Sequence, residues 1–339
     1  MVSQKERDGY YKGKVVLVTG GAGSIGRHIV KSLLPRGPKV VRVLDNNETG
    51  LFDLEQELRN PRLRTFVGDV RDKERLRRAI EGVDVVFHAA ALKHVELCEF
   101  NPFEAVKTNV LGTQNLIEVC IDEEVEKFVA ISTDKAVSPA NVMGATKLLA
   151  EKLTLSANLF KGRRKTALCC VRFGNVLGSR GSIVPIFKEQ VLRDREIMIT
   201  DKRMTRFIMT IPRAAELVLK AGEIAKGGEL FILKTPTVKV VDLADCIVEE
   251  ICSKHGIDQR EVKVRYIGMR PGEKLYEELI TEMESNCVSV VGDLIVVQPY
   301  ETGGKAANRK IVISSKEGPF LSKDKIREIL RGNDEIGLR

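Results

Sequence analysis

The sequence predicts an α/β fold, a doubly wound parallel sheet followed by a smaller mixed α/β C-terminal unit. Three observations carry the prediction. The apolar run 14–18 leads into a glycine turn, Gly20 to Gly26, that opens a helical stretch at 27–34. Apolar β-type runs then alternate with amphipathic helical stretches through the first half of the chain, the pattern of a parallel sheet covered on both faces. After Asn175 this alternation loosens into shorter mixed elements.

In chain order the strand runs are 15–18, 40–44, 64–67, 83–88, 127–132 and 166–173, with helices between them at 51–59, 72–80, 102–120 and 143–160. Right-handed crossovers place every strand C-terminus on one edge of such a sheet, where ligands bind. Beyond it come a polar loop at 178–182, helices at 183–193 and 207–222, a strand at 229–233, and short elements at 241–254, 262–267, 270–279, 294–298 and 323–331. The expected division is a dinucleotide-binding Rossmann-type domain over 12–177, with 206–235 returning to it, and a substrate-binding domain made of 178–205 and 236–339.

Composition narrows the function classes. The 339 residues suffice for a buried core, and 43% hydrophobic with 30% charged residues is ordinary for a globular protein. The net charge of +8 is dispersed, with no basic block interleaved with aromatics, so no nucleic-acid partner is expected. No apolar stretch is long enough to span a bilayer and the start of the chain is charged, so no membrane insertion and a cytoplasmic location are expected. The seven cysteines include no C-x-x-C pair and read as reduced, and the four histidines lack ligand spacing, so no metal is assigned.

Gly20, Gly23 and Gly26 are spaced G-x-x-G-x-x-G, and with Ser24 and Ile25 they form a turn that lets the backbone approach a pyrophosphate at a helix N-terminus. Asp45 ends the second strand at the position where a carboxylate accepts from ribose hydroxyls and repels a 2′-phosphate. NAD is therefore favoured, with NADP as the alternative, because Asn46, Asn47 or Arg42 could also serve there. Asp69 after the third strand could accept from an adenine amino group while Val70 flanks the ring, or could cap the next helix, as Asp72 could. Ala89, Ala90 and Ala91 after the fourth strand allow close cofactor approach, Lys93 projects from that loop, and Asn109 on the following helix joins the cofactor-binding set.

The cluster Ser132-Thr133-Asp134-Lys135 followed by Met143 and Lys147 carries the chemistry. In a short-chain dehydrogenase a Ser or Thr at this strand end and a Tyr-x-x-x-Lys on the next helix position a hydroxyl for deprotonation as hydride leaves its carbon. The i, i+4 spacing puts the Tyr and Lys positions on one helix face. Met143 occupies the Tyr position, and a thioether cannot accept that proton, so Thr133, Asp134, Lys147 or a water must. Asp134-Lys135 adds an acid and a base, a carboxylic acid beside a neutral amine in a dry cleft, which suits elimination.

These segments, with 88–95, 141–147, 172–182, 204–207 and 270–275, resemble the extended short-chain dehydrogenase/reductases, specifically the UDP-N-acetylglucosamine 4,6-dehydratases of surface-polysaccharide synthesis, over about residues 12–330. The resemblance implies a UDP-N-acetylhexosamine substrate and one bound NAD(P) through the cycle. Hydride leaves C4, Lys135 removes the C5 proton, Asp134 protonates the departing C6 hydroxyl, and hydride returns to C6. It further implies cofactor and sugar contact by Lys93, substrate contact by Asn175, diphosphate contact by Arg206, and nucleotide contacts by Arg270 and Glu273. The stretch 199–207 resembles C5-inverting members, whereas Asp45 resembles NAD-using members, many of which retain C5; inversion is the expectation, in a homo-oligomer. A UDP-hexose 4-epimerase is the enzyme alternative and a non-catalytic dinucleotide sensor a third reading.

Overall fold

The structure, a computed structural model, describes residues 9–298, 313–333 and 336. The charged start at 1–8, and the parts of the expected second domain at 299–312, 334, 335 and 337–339, lie outside the described residues. The strands are β1 (Val15–Thr19), β2 (Val40–Asp45), β3 (Leu63–Val67), β4 (Val85–His88), β5 (Lys127–Thr133), β6 (Ala167–Phe173), β7 (Asn175–Leu177), β8 (Glu196–Ile199), β9 (Thr205–Thr210), β10 (Leu230–Leu233), β11 (Thr237–Lys239), β12 (Lys263–Tyr266), β13 (Val288–Val291) and β14 (Leu294–Val297). The helices are α1 (Ser24–Leu33), α2 (Glu48–Leu58), α3 (Lys73–Ile80), α4 (Val95–Phe100), α5 (Pro102–Ala105), α6 (Gly112–Asp122), α7 (Val142–Phe160), α8 (Ile183–Asp194), α9 (Ile211–Ile224), α10 (Val240–His255) and α11 (Lys323–Arg331).

Among the described residues the main sheet has nine strands in the order β13-β14-β10-β6-β5-β4-β1-β2-β3. β3 through β10 in that order run parallel, and the doubly wound reversal lies at β1, between β2 and β4. Strand periodicity splits the core in two. Val16, Val18, Phe87, Val129 and Cys169 face α1, α2 and α9, while Leu17, Val86, Phe128, Ala130 and Cys170 face α3, α6 and α7. With both faces covered, the strands read as continuous apolar runs. A third cluster joins α8, α10 and α11 to β8, β9 and β11.

Besides the expected element at 270–279, which forms no helix or strand but only an isolated bridge at Glu278, three elements differ from the sequence expectation. The stretch expected as a helix from 207 is strand β9 followed by α9, with Pro212 in the first turn of α9. β9 pairs with β7 and β11 in a separate three-stranded sheet. The helix expected over 102–120 is broken at Val106–Leu111, a π-helical stretch that carries Asn109. Thirdly, β13 and β14, assigned by the sequence to the second domain, form an antiparallel hairpin on β10 and extend the main sheet; a hairpin pairs locally in sequence, so it can add to an edge without a crossover.

Candidate active site

The carboxyl ends of β1, β4, β5 and β6 open onto a cleft of about 650 Å³ closed on its far side by β9, α8 and the segment 270–273. The glycine turn forms one wall. Gly20 has φ of +68°, and a Cβ there would stand 2.5 Å from the Ala90 nitrogen; at Gly26 a Cβ would stand 2.2 Å from the Gly20 oxygen. Side chains are excluded from this cradle by packing alone, which leaves the α1 N-terminus facing the cleft, where N–H groups and the helix dipole favour a phosphate. The residues present therefore fit a dinucleotide pyrophosphate.

Gly20, Gly23, Ser24, Ile25, Gly26, Ala89, Ala91 and Lys93 line the cleft together with Thr133, Lys135, Met143, Lys147, Asn175, Arg206, Arg270 and Glu273. Asp45, Asn46, Asp69, Val70, Ala90, Asn109 and Asp134 are not among the residues that line it. Asp45 accepts from the Ala22 and Asn47 backbone N–H groups, each at 3.0 Å, and so stands at the rim of the glycine turn. Asn46 donates to Asp69 at 3.4 Å. The direct adenine contact expected of Asp69 meets a competitor: Arg71 binds both of its oxygens, at 3.0 and 2.7 Å, and holds the carboxyl below its usual range. Asp72, not Asp69, caps α3. Val70 is buried in the core against Gly112.

Asn109 is 1% exposed; it accepts from Leu92 N at 2.8 Å and donates to Leu92 O and Thr146 Oγ1, each at 3.0 Å. Its amide thus holds the alanine loop rather than pointing into the cleft. Behind that loop His88 is buried between Thr19 Oγ1 at 2.8 Å and Thr113 Oγ1 at 3.0 Å. Thr113 donates its own proton to Asn109 O, so it accepts from His88 Nε2–H and leaves Nδ1 to accept from Thr19. Burial, with the Lys147 charge nearby, pushes the imidazole down to about 3, and it stays neutral.

Thr133, the last residue of β5, donates to Asp134 Oδ1 at 2.9 Å, and Lys135 Nζ donates to the same oxygen at 3.0 Å. Lys135 also reaches Asn175 Oδ1 at 3.2 Å and stands 3.6 Å from Glu277. Burial works against the ammonium, but the Asp134 carboxyl, joined by Glu277 when that acid is ionised, outweighs it and holds Lys135 above the usual lysine value. Two expectations are corrected here. Lys135 rests as an ammonium, not as the neutral amine expected. Asp134, at 0% exposure, does not reach the cleft, so its contact with any substrate runs through Thr133 or Lys135.

Asn141 caps α7 through Gly144 N, placing Met143 and Lys147 one turn apart on the cleft face. Lys147 donates to Ile131 O at 2.5 Å, and burial lowers its pKa. Lys93 donates to Arg180 O at 2.7 Å, and Arg180 N donates to Ser24 Oγ at 3.1 Å, so the loop at 178–182 crosses the mouth above the glycine turn. Arg206 is fixed by Thr205, Lys274 and Leu275 carbonyls at 2.8, 2.8 and 3.1 Å, and Arg270 pairs with Glu96 at 2.7 Å. Sequence reasoning missed Glu277 and His88 as the buried support of the loop; Ser132, named in the sequence cluster, has its hydroxyl buried at the cleft with no partner among the described residues. Glu277 stands in an acid-rich run with Glu278, and nothing local distinguishes the one that folds beneath Lys135.

The family model described as "Polysaccharide biosynthesis protein" matches residues 16–299. A Campylobacter jejuni protein named UDP-N-acetylglucosamine 4,6-dehydratase (inverting) is 41% identical over 288 residues, covering 84% of this chain and 83% of its own. A Methanocaldococcus jannaschii protein described as an uncharacterised membrane protein is 62% identical, covering 95% of this chain and 96% of its own. Among the described residues of the present chain no helix is long and apolar enough to cross a membrane. Of solved structures, Pen from Bacillus thuringiensis superposes with a TM-score of 0.92 at 42% identity, covering 97% of this chain and 99% of that one. The dTDP-glucose 4,6-dehydratase DesIV of Streptomyces venezuelae, solved with NAD bound, gives 0.69 at 25% identity, covering 77% and 86%. The glycine cradle, the Thr133–Lys147 wall and these likenesses together establish that the chain belongs to the polysaccharide-biosynthesis family of extended short-chain dehydrogenase/reductases.

Proposed function

We propose that this protein is a UDP-N-acetylglucosamine 4,6-dehydratase, C5-inverting like its Campylobacter relatives by name, and that it uses NAD. The observation that carries the reading is the hydrogen-bonded set Thr133, Asp134 and Lys135 at the strand end facing the glycine cradle. A nicotinamide dinucleotide bound there supplies a reversible hydride acceptor. Gly20, Gly23, Ser24 and Gly26 would hold its pyrophosphate and Lys147 its nicotinamide ribose, and Asp45 at the rim favours a free ribose hydroxyl over a phosphate.

Proton accounting assigns the remaining roles. Elimination of water from the sugar releases the C4 hydroxyl proton together with the C6 hydroxyl, so one proton moved from O4 to O6 balances the reaction. Thr133 takes the O4 proton while passing its own to Asp134, which fills the place of the absent Tyr without any part for Met143. Neutral Lys135 takes the C5 proton, Asp134 returns its proton through Thr133 or Lys135 to the departing C6 hydroxyl, and water protonates the opposite face of C5, as inversion requires, while Lys135 releases to solvent the proton it took. Asp134 as carboxylate and Lys135 as free amine is the active form; Lys135 must therefore lose the proton it carries at rest. Arg206, Arg270 and Glu273 line the other half of the cleft and suit a nucleotide diphosphate. Six buried cysteines among seven free thiols fit a reducing, cytoplasmic setting.

The test is incubation of the purified protein with UDP-N-acetylglucosamine. A product lighter than the substrate by one water and a base-induced 4-keto absorbance are expected; an isomer of unchanged mass would instead support the 4-epimerase named in a Rickettsia felis relative at 40% identity. Lys135→Ala is expected to lower kcat by about a thousandfold or more while UDP binding by calorimetry changes less than about threefold. Parental turnover in that variant would remove Lys135 from its role.

A further inference from the structure

Glu277 is a buried acid that no step above employs. It is 2% exposed, its Oε1 stands 3.6 Å from Lys135 Nζ, and its Oε2 is buried with no partner among the described residues. The backbone beneath it is fixed: Glu277 N donates to Ser315 Oγ and Ser315 N donates to Glu277 O, each at 2.8 Å. Asp134 contacts the same ammonium, at 3.0 Å. Its Oδ1 accepts from both Thr133 and Lys135, while its Oδ2 is likewise unpartnered.

Two carboxyls buried beneath the cleft therefore share one ammonium, that of Lys135, which itself lines the cleft. With both acids ionised, two buried carboxylates would share the one ammonium they contact, which a low-dielectric interior resists. Asp134 receives two donors on its carboxyl, from Thr133 and Lys135. Glu277 receives none on its carboxyl and lies beyond hydrogen-bond distance of Lys135, so the proton rests there. Burial pushes its carboxyl above the usual range; Lys135 opposes that rise, Asp134 reinforces it, and Arg206 and Lys274 oppose it.

On the dehydratase reading, we infer that Glu277 is a positioning residue for Lys135: as a neutral acid it leaves Asp134 the only counter-ion and lets Lys135 release its proton, and once ionised it locks Lys135 as a cation. No direct contact with substrate is required, since Glu277 does not line the cleft whereas Lys135 does.

Competitive acylation with trace acetic anhydride across a pH series, read by mass spectrometry of the Lys135 peptide, measures the Lys135 titration in the full-length protein without reliance on turnover. Glu277→Gln, close to isosteric, is expected to lower the Lys135 midpoint by about one unit or more, so that labelling below the midpoint rises about tenfold. The acid limb of kcat is expected to move down in pH with it, while KM changes less than about threefold. Glu277→Asp, which draws the carboxyl back by one methylene, is expected to shift the midpoint the same way by less. An unmoved or raised midpoint in both variants overturns the inference. A parent protein that does not dehydrate the sugar, yet shows the Glu277-dependent labelling shift, overturns the assigned reaction and upholds the coupling.

Discussion

His88 shows how a residue without chemistry of its own sets conditions for the site. Its ring is buried at the end of β4 under the alanine loop, neutral, and held by two threonine hydroxyls. In the unfolded chain the same imidazole titrates near 6.5, whereas in the native state burial depresses it to about 3. Between those values the unfolded chain binds a proton that the native protein does not, so His88 favours folding fully above 6.5 and loses that contribution as pH falls toward 3. Thermal unfolding followed by circular dichroism is expected to show stability falling by roughly 1.4 kcal/mol per pH unit from this group over that window. His88→Gln, which keeps a donor and an acceptor without a titrating ring, is expected to flatten that dependence. At the same scale the sequence put positions 143 and 147 on one helix face, because helix periodicity fixes their directions. It did not show that Asp134 turns under the floor or that Glu277 lies beside Lys135, because contacts between residues remote in sequence leave no local signal.

The segment after β12 is held against the sheet by a buried ionic cluster. Arg172 of β6 is 1% exposed and binds both oxygens of Glu151 on α7, at 3.0 and 2.6 Å, both oxygens of Glu284, at 2.9 and 3.0 Å, and Leu279 O at 2.8 Å. Removing the guanidinium strands two carboxylates in the core. Arg172→Met is therefore expected to cost about 3–5 kcal/mol, read from the urea midpoint at unchanged m-value. It is also expected to loosen the stretch that brings Glu277 under Lys135. The sequence marked 172 only as part of a motif on an apolar strand, and a lone charge in such a run does not reveal its partners. Element boundaries were legible where periodicity was sustained, as in α3, α7 and the parallel strands. They failed at 207–222, where the alternation of β9 runs directly into the proline start of α9 and no turn residue separates the two.

The whole molecule places its cleft between the carboxyl edge of the main sheet and the cluster built on α8, α10 and β9. A dinucleotide in the glycine cradle and a nucleotide sugar against Arg206 and Arg270 would each bind the native state alone. Differential scanning fluorimetry is expected to show NAD raising Tm, by the equivalent of about 2.7 kcal/mol at a hundredfold excess over Kd, and UDP adding a further rise. No rise with NAD or NADP would contradict the dinucleotide assignment. The loop at 178–182, pinned to Ser24 and Lys93, stands across the entry to both ligands.

The doubly wound sheet, the glycine cradle and the loss of the Tyr hydroxyl were determined by the sequence itself, since each depends on spacing or identity within one strand, turn or helix. Only the tertiary structure decided which charges meet: the edge hairpin β13–β14, the Glu151–Arg172–Glu284 cluster and the trio of Asp134, Lys135 and Glu277. Burial and electrostatic pairing are properties of the packed chain, set by what surrounds a side chain after folding, and residue order within any one segment does not contain them.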